Sequence, residues 1–402
     1  MEQNKQRWRR EELSYCSNVH PGETIEAIIS VIAEQLAPIR KSRKLDRMGA
    51  GLWLCDDVVR QIIDIPEKKE QFQAALKNNH IDLFTLNGFP FGNFHAERVK
   101  ENVYIPDWSE NRRYKYTTDL AEILADNLPE HIREGSISTL PLGYRHSWNE
   151  EKHDLSLKNL CQLALFLEQL YQQTGRVVRV CLEMEPDCVL ETTGEMIAFF
   201  NTDLLTKASE LNIDQQLIYK YLGVCFDVCH QAVMFEQIDQ SLRLFLQAGI
   251  TIGKIQVSSA LEISDTNNDD LVEVLQQFVE PRYLHQTCVL NDKGVQKFID
   301  LPEFIMAGRM NNASLARVHF HLPIQMERLE KAGLGTTQKE ILTVLDFLVK
   351  NRECHPHIEI ETYTWHVLPS FFQASGMEMV QQGLIDELDW LSLEMFKREL
   401  LI

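Results

Sequence analysis

Short apolar or β-branched runs recur along the 402-residue chain, and most are followed by a longer stretch with apolar residues three and four apart. A period near two that gives way to a period near 3.6, repeated many times, is the pattern of strand and helix units feeding a parallel sheet. The runs at 14–19, 51–55, 82–87, 136–140, 177–184, 223–228, 252–258, 316–322 and 358–363 predict strands. The stretches 24–36, 67–77, 157–172, 239–248 and 338–350 predict amphipathic helices, with Thr24, Ser156 and Thr337 at plausible helix starts. The alternation points to an α/β protein with a closed (β/α)8 TIM barrel. Nine strand candidates are one too many, so one lies outside the barrel. The segment 276–316 breaks the rhythm and reads as an insertion before the last strands of a single domain spanning 1–402. No internal repeat or low-complexity linker marks a second domain.

Two long irregular stretches, 87–116 and 143–154, each follow a strand and are rich in aromatics, Pro and Gly. In a barrel such loops stand over the C-terminal mouth, where active sites are built. Gly88-Phe89-Pro90-Phe91-Gly92-Asn93-Phe94-His95 places three Phe residues between and beside glycines. It reads as an aromatic lid over an apolar ligand, or as a plug of the core.

Composition narrows the partners. Hydrophobic residues make up 44% and charged residues 25%, and no run nears the roughly 18–20 apolar residues of a membrane-spanning helix. The polar, basic first ten residues and the short, mixed run 13–19 do not make a signal peptide, so a cytoplasmic protein with no transmembrane segment is expected. Nine scattered cysteines, several inside apolar runs, read as buried thiols, and Cys225 with Cys229 has no second pair to complete a zinc knuckle. A formal charge of −19 argues against long nucleic acid and leaves a small-molecule metabolite as the expected partner. Arg112, Arg113 and Lys115 read as a solvated loop.

Candidate chemistry collects at strand ends. Gly223-Val224-Cys225-Phe226-Asp227-Val228-Cys229-His230 is an apolar run that ends in a carboxylate, with an imidazole three residues later. A buried strand carries such an Asp only if its charge is compensated. Glu183 and Glu185 share a face, as do Lys254, Gln256 and Ser258, His319 and His321, and Glu359, Glu361 and Tyr363. Singly, each residue has an ordinary reading as a helix cap, an ion-pair partner or a hydrogen-bonded core histidine. Together they place several carboxylates on one axis, which is costly unless a cation or polar ligand offsets the repulsion. Mixed carboxylate and imidazole donors suit a divalent ion such as Mn2+, Mg2+, Zn2+ or Fe2+. His20, Asn87, His95, Arg145 and His146, which follow earlier strands, are candidates for touching a substrate, as are Glu185 and Glu359.

Leu182-Glu183, Asp227-Val228-Cys229-His230 and Glu361-Thr362 resemble, in order, the metal-site motifs of the xylose isomerase-like TIM barrel superfamily. That superfamily includes sugar isomerases, sugar epimerases and endonuclease IV. The resemblance implies that Glu183, Asp227 and Glu361 hold a metal, with His230 similar to an additional ligand of the endonuclease branch. The sequence departs from the pattern where Gln256 or Ser258 stands in place of an imidazole, and His319 or His321 is a candidate replacement. Over nearly the whole chain, four longer stretches resemble the EboE metabolite traffic family. They are Tyr15-Cys16-Ser17-Asn18-Val19-His20-Pro21-Gly22-Glu23-Thr24, Thr85-Leu86-Asn87-Gly88-Phe89-Pro90-Phe91-Gly92, Ser138-Thr139-Leu140-Pro141-Leu142-Gly143 and Glu361-Thr362-Tyr363-Thr364-Trp365. This resemblance implies handling of a secondary-metabolite precursor together with other Ebo cluster proteins.

Three functional expectations follow. The first is a metal-dependent isomerase, epimerase or hydrolase in which Glu183, Asp227, His230, Gln256 and Glu361 form the ligand set and Lys254, His319 and His321 supply acid, base or electrostatic groups. The second is a metabolite-binding protein with a degenerate metal site. The third and weakest is an endonuclease IV-like hydrolase, which the acidic balance opposes.

Overall fold

The computed structural model describes residues 7–265, 270–307, 313–329, 333–369 and 377–402. Thirteen strands fall into two sheets among these residues. Eight are parallel: β1 (Ser14–Tyr15), β2 (Met48–Trp53), β3 (Ile81–Asn87), β4 (Glu134–Thr139), β5 (Val177–Glu183), β6 (Leu222–Asp227), β7 (Ile252–Val257) and β13 (His357–Ile360). Their order is β1-β13-β7-β6-β5-β4-β3-β2, and a parallel bridge between Cys16 and Gly51 joins the two ends. The sheet is therefore a closed barrel of the (β/α)8 kind, as the alternating pattern predicts.

Closure depends on a glycine. A Cβ built on Gly51 would lie 1.2 Å from Glu359 Oε2, so the barrel seam admits no side chain there. Glu359 is inside because it pairs with Lys254, whose Nζ stands 2.6 Å from Glu359 Oε1 and 3.2 Å from Ser138 Oγ, with both charged side chains fully buried. Burial alone would discharge Lys254, and the Glu359 carboxylate reverses this, holding the ammonium above its usual range.

Helices begin close to the sequence pattern, with one exception. Thr24 caps the helix that starts at Ile25, accepting from Ala27 N at 3.1 Å. The helix Glu150–Thr174 is capped by Asn149, whose Oδ1 accepts from Lys152 N at 2.9 Å, and Ser156 lies inside it. The Ser156 hydroxyl donates back to His153 O at 2.7 Å, which is how a serine is accommodated within a helix. Thr337 precedes the helix Gln338–Lys350, but its hydroxyl accepts from Ala260 N at 2.8 Å instead of capping it.

The second sheet is the insertion. It is antiparallel in the order β10-β9-β11-β8-β12, built from β8 (Leu261–Ile263), β9 (Thr287–Asn291), β10 (Gly294–Phe298), β11 (Ala313–Val318) and β12 (Leu334–Thr336). The insertion thus reaches from 261 to 336, beyond the expected 276–316, and β11 is the ninth strand that the barrel cannot hold. It has its own core around Leu261, Val289, Phe304, Val318 and Phe320. Past β11 the chain returns to the barrel, where Leu322 N donates to Ser259 O at 2.8 Å. All nine cysteines are buried and free. Among the described residues, no helix is long and apolar enough to cross a membrane.

Candidate metal centre and its pocket

Asp227 is the last residue of β6 and the N-cap of the helix Val228–Val233. Its Oδ1 accepts from His230 N at 2.9 Å and from Ser258 Oγ at 2.8 Å, while its buried Oδ2 has no partner. The cap brings His230 one turn on, to the same end of the barrel. Glu183 ends β5 beside it, with Oε2 also buried and unpartnered. Glu361 follows β13, and its Oε1 accepts from Asn18 Nδ2 at 2.9 Å and Asn87 Nδ2 at 3.0 Å. Candidate ligand oxygens of Glu183, Asp227 and Glu361 lie within 4.8 Å of one another. Burial, reinforced by the neighbouring carboxyls, holds Glu183 and Glu361 well above the usual carboxylate range.

Three imidazoles complete the cluster, and their hydrogen bonds fix their tautomers. His230 Nδ1 is 2.9 Å from Met184 O, and His321 Nδ1 is 2.7 Å from Glu361 O. A carbonyl oxygen only accepts, so both Nδ1 atoms carry the proton and both Nε2 atoms present a lone pair. His319 Nδ1 lies 2.7 Å from Gln286 Oε1. Gln286 is oriented by its own amide nitrogen, which donates to Tyr104 OH at 3.1 Å and Pro186 O at 3.2 Å. His319 Nε2 then faces His230 Nε2 at 3.0 Å with two lone pairs opposed.

Burial holds His319 well below the usual histidine range and pushes His321 down to about 4. His321 Nε2 is buried and unpartnered. Two nitrogens on one tetrahedral ion stand about 3.3 Å apart, given ligand distances near 2.0–2.1 Å. The observed spacing is close to that value. Orphaned carboxylate oxygens and converging Nε2 lone pairs therefore fit a divalent cation. Asp227, His230 and His321 form one compact group of donors, and Glu185, His230 and His319 form another. Cys229 also falls near His319 and His321, but burial raises its thiol well above the usual range, which disfavours the thiolate that ligation needs.

The remaining candidate residues separate by depth. Glu185 and Asn87 line the pocket above the cluster. Tyr104 OH donates to Glu185 Oε1 at 2.9 Å, and burial pushes the Glu185 carboxyl up to about 7. Gln256 Oε1 accepts from Cys225 Sγ at 3.0 Å within the barrel. Lys254 and Glu359 are consumed by their mutual ion pair inside the barrel and do not line the pocket. His20 is buried against Tyr15 OH at 3.0 Å and driven down to about 3 by desolvation. His95 packs on Trp53 with ring centroids 5.6 Å apart, and neither it nor His20 lines the pocket. Arg145 is held by Cys188 O and Glu195, away from the pocket wall. Asn18, Tyr104 and Gln286 join the site without being marked by the strand-end pattern: Asn18 lies in the stretch 15–24 and Tyr104 in the irregular stretch 87–116, while Gln286 belongs to an insertion whose spacing carries no signal.

The pocket holds about 520 Å3 of empty space, its open mouth included. Phe94 of the aromatic loop packs against Tyr283 of the insertion at 5.1 Å and against Tyr363 at 5.5 Å, with Tyr283 and Tyr363 4.9 Å apart. The loop is pinned from beneath by Arg113, which is fully buried and not solvated as expected. Its guanidinium donates to Pro106 O and Gly88 O, each at 2.8 Å, and to Phe89 O at 3.0 Å. The helix Asn111–Asn127 carries it inward, a placement that the local run of basic residues does not reveal.

No family model matches the chain, and no curated protein matches it. Among solved structures it is similar to a xylose isomerase-like TIM barrel protein from Mycobacterium smegmatis in complex with magnesium, at 9% identity over 96% of this chain and 99% of the other, with a TM-score of 0.49. It is also similar to an AP endonuclease, family 2, from Brucella melitensis, at 12% identity over 61% and 78% of the two chains and a TM-score of 0.36. A putative sugar phosphate isomerase/epimerase from Anabaena variabilis aligns at 13% identity over 61% and 72%, with a TM-score of 0.38.

Proposed function

We propose that this chain binds a divalent metal ion at the barrel mouth and acts with it on a small metabolite, by isomerisation or epimerisation next to a carbonyl or by hydrolysis. The observation that carries this reading is the set of imidazoles whose Nδ1 protons are committed to oxygen acceptors while their Nε2 atoms converge on orphaned carboxylates. Glu183, Asp227, Glu361, His230 and His321 would hold the ion, with His319 and Glu185 beside it. When bound, such an ion polarises a substrate oxygen or lowers the pKa of a water.

The chain's own groups supply the rest. Asn18 and Asn87 orient Glu361, and aromatic rings line the wall above it. Glu185, with a carboxyl near 7 and a hydrogen bond from Tyr104, is suited to hold or release a proton at its Oε atoms near neutral pH.

The test is metal content. Protein stripped with chelator and dialysed against micromolar Mn2+, Zn2+ or Fe2+ is expected to retain close to one equivalent by elemental analysis, and Asp227→Asn or His321→Ala to retain less than a tenth of that. Wild-type protein that keeps none of these ions, nor Mg2+ at millimolar concentration, would sink the reading. The finer assignment, a metabolite traffic protein handling a secondary-metabolite precursor alongside other Ebo cluster products, is supported by the four motif stretches that resemble that family. Its test is a knockout strain, expected to accumulate the precursor and to be rescued by the wild-type chain. A purely binding role is favoured by Gln256, which replaces an imidazole expected of a catalytic site. In that case Asp227→Asn would still rescue the strain, whereas an enzyme would lose rescue.

A further inference from the structure

The walls of the pocket say what kind of molecule fits above the ion site. A sugar or sugar phosphate needs several hydrogen-bonding groups for its hydroxyls and a free cation for its phosphate, because buried polar groups left unpaired are costly. The wall offers few of either. Tyr104 OH is spent on Glu185 and Tyr283 OH donates to Phe94 O at 3.2 Å, while Tyr363 OH points to His319 Nε2 at 3.5 Å. Each hydroxyl is thus engaged within the protein, and the rings add apolar surface to the wall. Lys100, which lines the pocket, is held by Asp300 Oδ2 at 2.5 Å. Arg282, next to Tyr283, commits its Nε to Ala96 O at 3.0 Å. Polar capacity is concentrated at the floor, where Glu185 and the ligand cluster lie, and Phe89, Phe94, Val103 and Leu284 add apolar wall above it.

We propose that the ligand is a small amphiphile with a chelating head of two adjacent oxygens, of the 2-hydroxy-acid type, and an apolar body the size of an aryl ring. This rests on the metal reading of the same site, which supplies the partner for the head. The aromatic rings grip the body by edge and face contacts of the kind they already make with one another, at 4.9–5.5 Å between centroids. Sugar phosphates are disfavoured because Lys100, a cation of the wall, is committed to Asp300.

The experiment is calorimetric titration of the metal-loaded full chain with three probes: 3-phenyllactate, lactate and ribose 5-phosphate. Lactate shares the head of phenyllactate without its body, and ribose 5-phosphate represents the polyol phosphates. Phenyllactate is expected to bind at least tenfold more tightly than either. Phe94→Ala is expected to cut the preference for phenyllactate over lactate at least fivefold, with lactate affinity and metal content unchanged; Val103→Ser, at a half-buried wall position, serves as a second variant if Phe94→Ala does not fold. Equal binding of phenyllactate and lactate, or tighter binding of ribose 5-phosphate, overturns the proposed ligand class while the metal content stands. Failure of the metal reading shows separately, as an absence of retained ion before any probe is added.

Discussion

Glu359 shows how one buried charge dictates its neighbours. It needs Lys254 for compensation and Gly51 for room, and the two requirements come from opposite sides of the barrel seam. Gly51→Ala is expected to lower unfolding free energy by about 3 kcal/mol or more, because its Cβ meets a carboxylate that cannot leave its ion pair. Lys254→Met is expected to cost about 3–5 kcal/mol by leaving Glu359 charged and alone, and adding Glu359→Gln to recover much of it. Urea denaturation of the three variants checks both; a single Lys254→Met variant as stable as wild type would rule out a charged Glu359. The sequence marks Lys254 and Glu359 as inward-facing, since period two along a strand is enough for that. It cannot tell that they neutralise one another, because the pairing is between strands distant in the chain. Asp227, Glu183 and Glu361 stood out only as a set: singly each reads as a cap or an ion-pair partner, and it is several carboxylates at successive strand ends that call for a cation or polar ligand.

The insertion illustrates what a period cannot distinguish. β11 alternates as a barrel strand does, and three-residue strands such as β8 and β12 leave hardly any pattern, so the boundaries expected at 276 and 316 fall inside the true sheet. The element nonetheless completes the site, since Gln286 precedes β9 and His319 and His321 follow β11. Gln286 acts through His319, as the acceptor that holds its Nδ1 proton. Gln286→Leu removes that acceptor and frees the ring to turn or change tautomer. Metal affinity is expected to fall 10- to 100-fold, as for other groups that orient a ligand from behind. Competition against a chromophoric chelator measures this, and Gln286→Glu, which still accepts from Nδ1, is expected to retain most of the affinity. Equal affinity in wild type and Gln286→Leu would remove the insertion sheet from the metal site.

At the scale of the whole molecule, the alternation of strand and helix made the barrel readable, whereas the buried carboxyls that set its pH response were not. Glu387 lies in the C-terminal helix Met377–Lys397, and burial pushes it up to about 7 from an ordinary value of 4.5. The groups facing it are the Thr362 hydroxyl at 2.7 Å, the Trp365 indole N–H at 3.1 Å and the Ile324 backbone N–H at 3.1 Å, with Asp386 as the nearby charge that raises it further. Between 4.5 and 7 the folded chain keeps a proton that the unfolded chain releases. At this site the folded state thus binds more protons than the unfolded one, and the group's contribution to stability must fall as pH rises through this window. One fully buried group shifted this far contributes a loss of roughly 3 kcal/mol across the window. Measured on metal-saturated protein, wild-type unfolding free energy is expected to fall relative to that of Glu387→Gln, which has no proton to lose, by about that amount from pH 5 to pH 7.5; the buried histidines, which favour folding as pH rises, are common to both proteins and cancel in the difference. Parallel curves for the two proteins would mean that Glu387 is ionised in the fold throughout, with its three donors outweighing its burial.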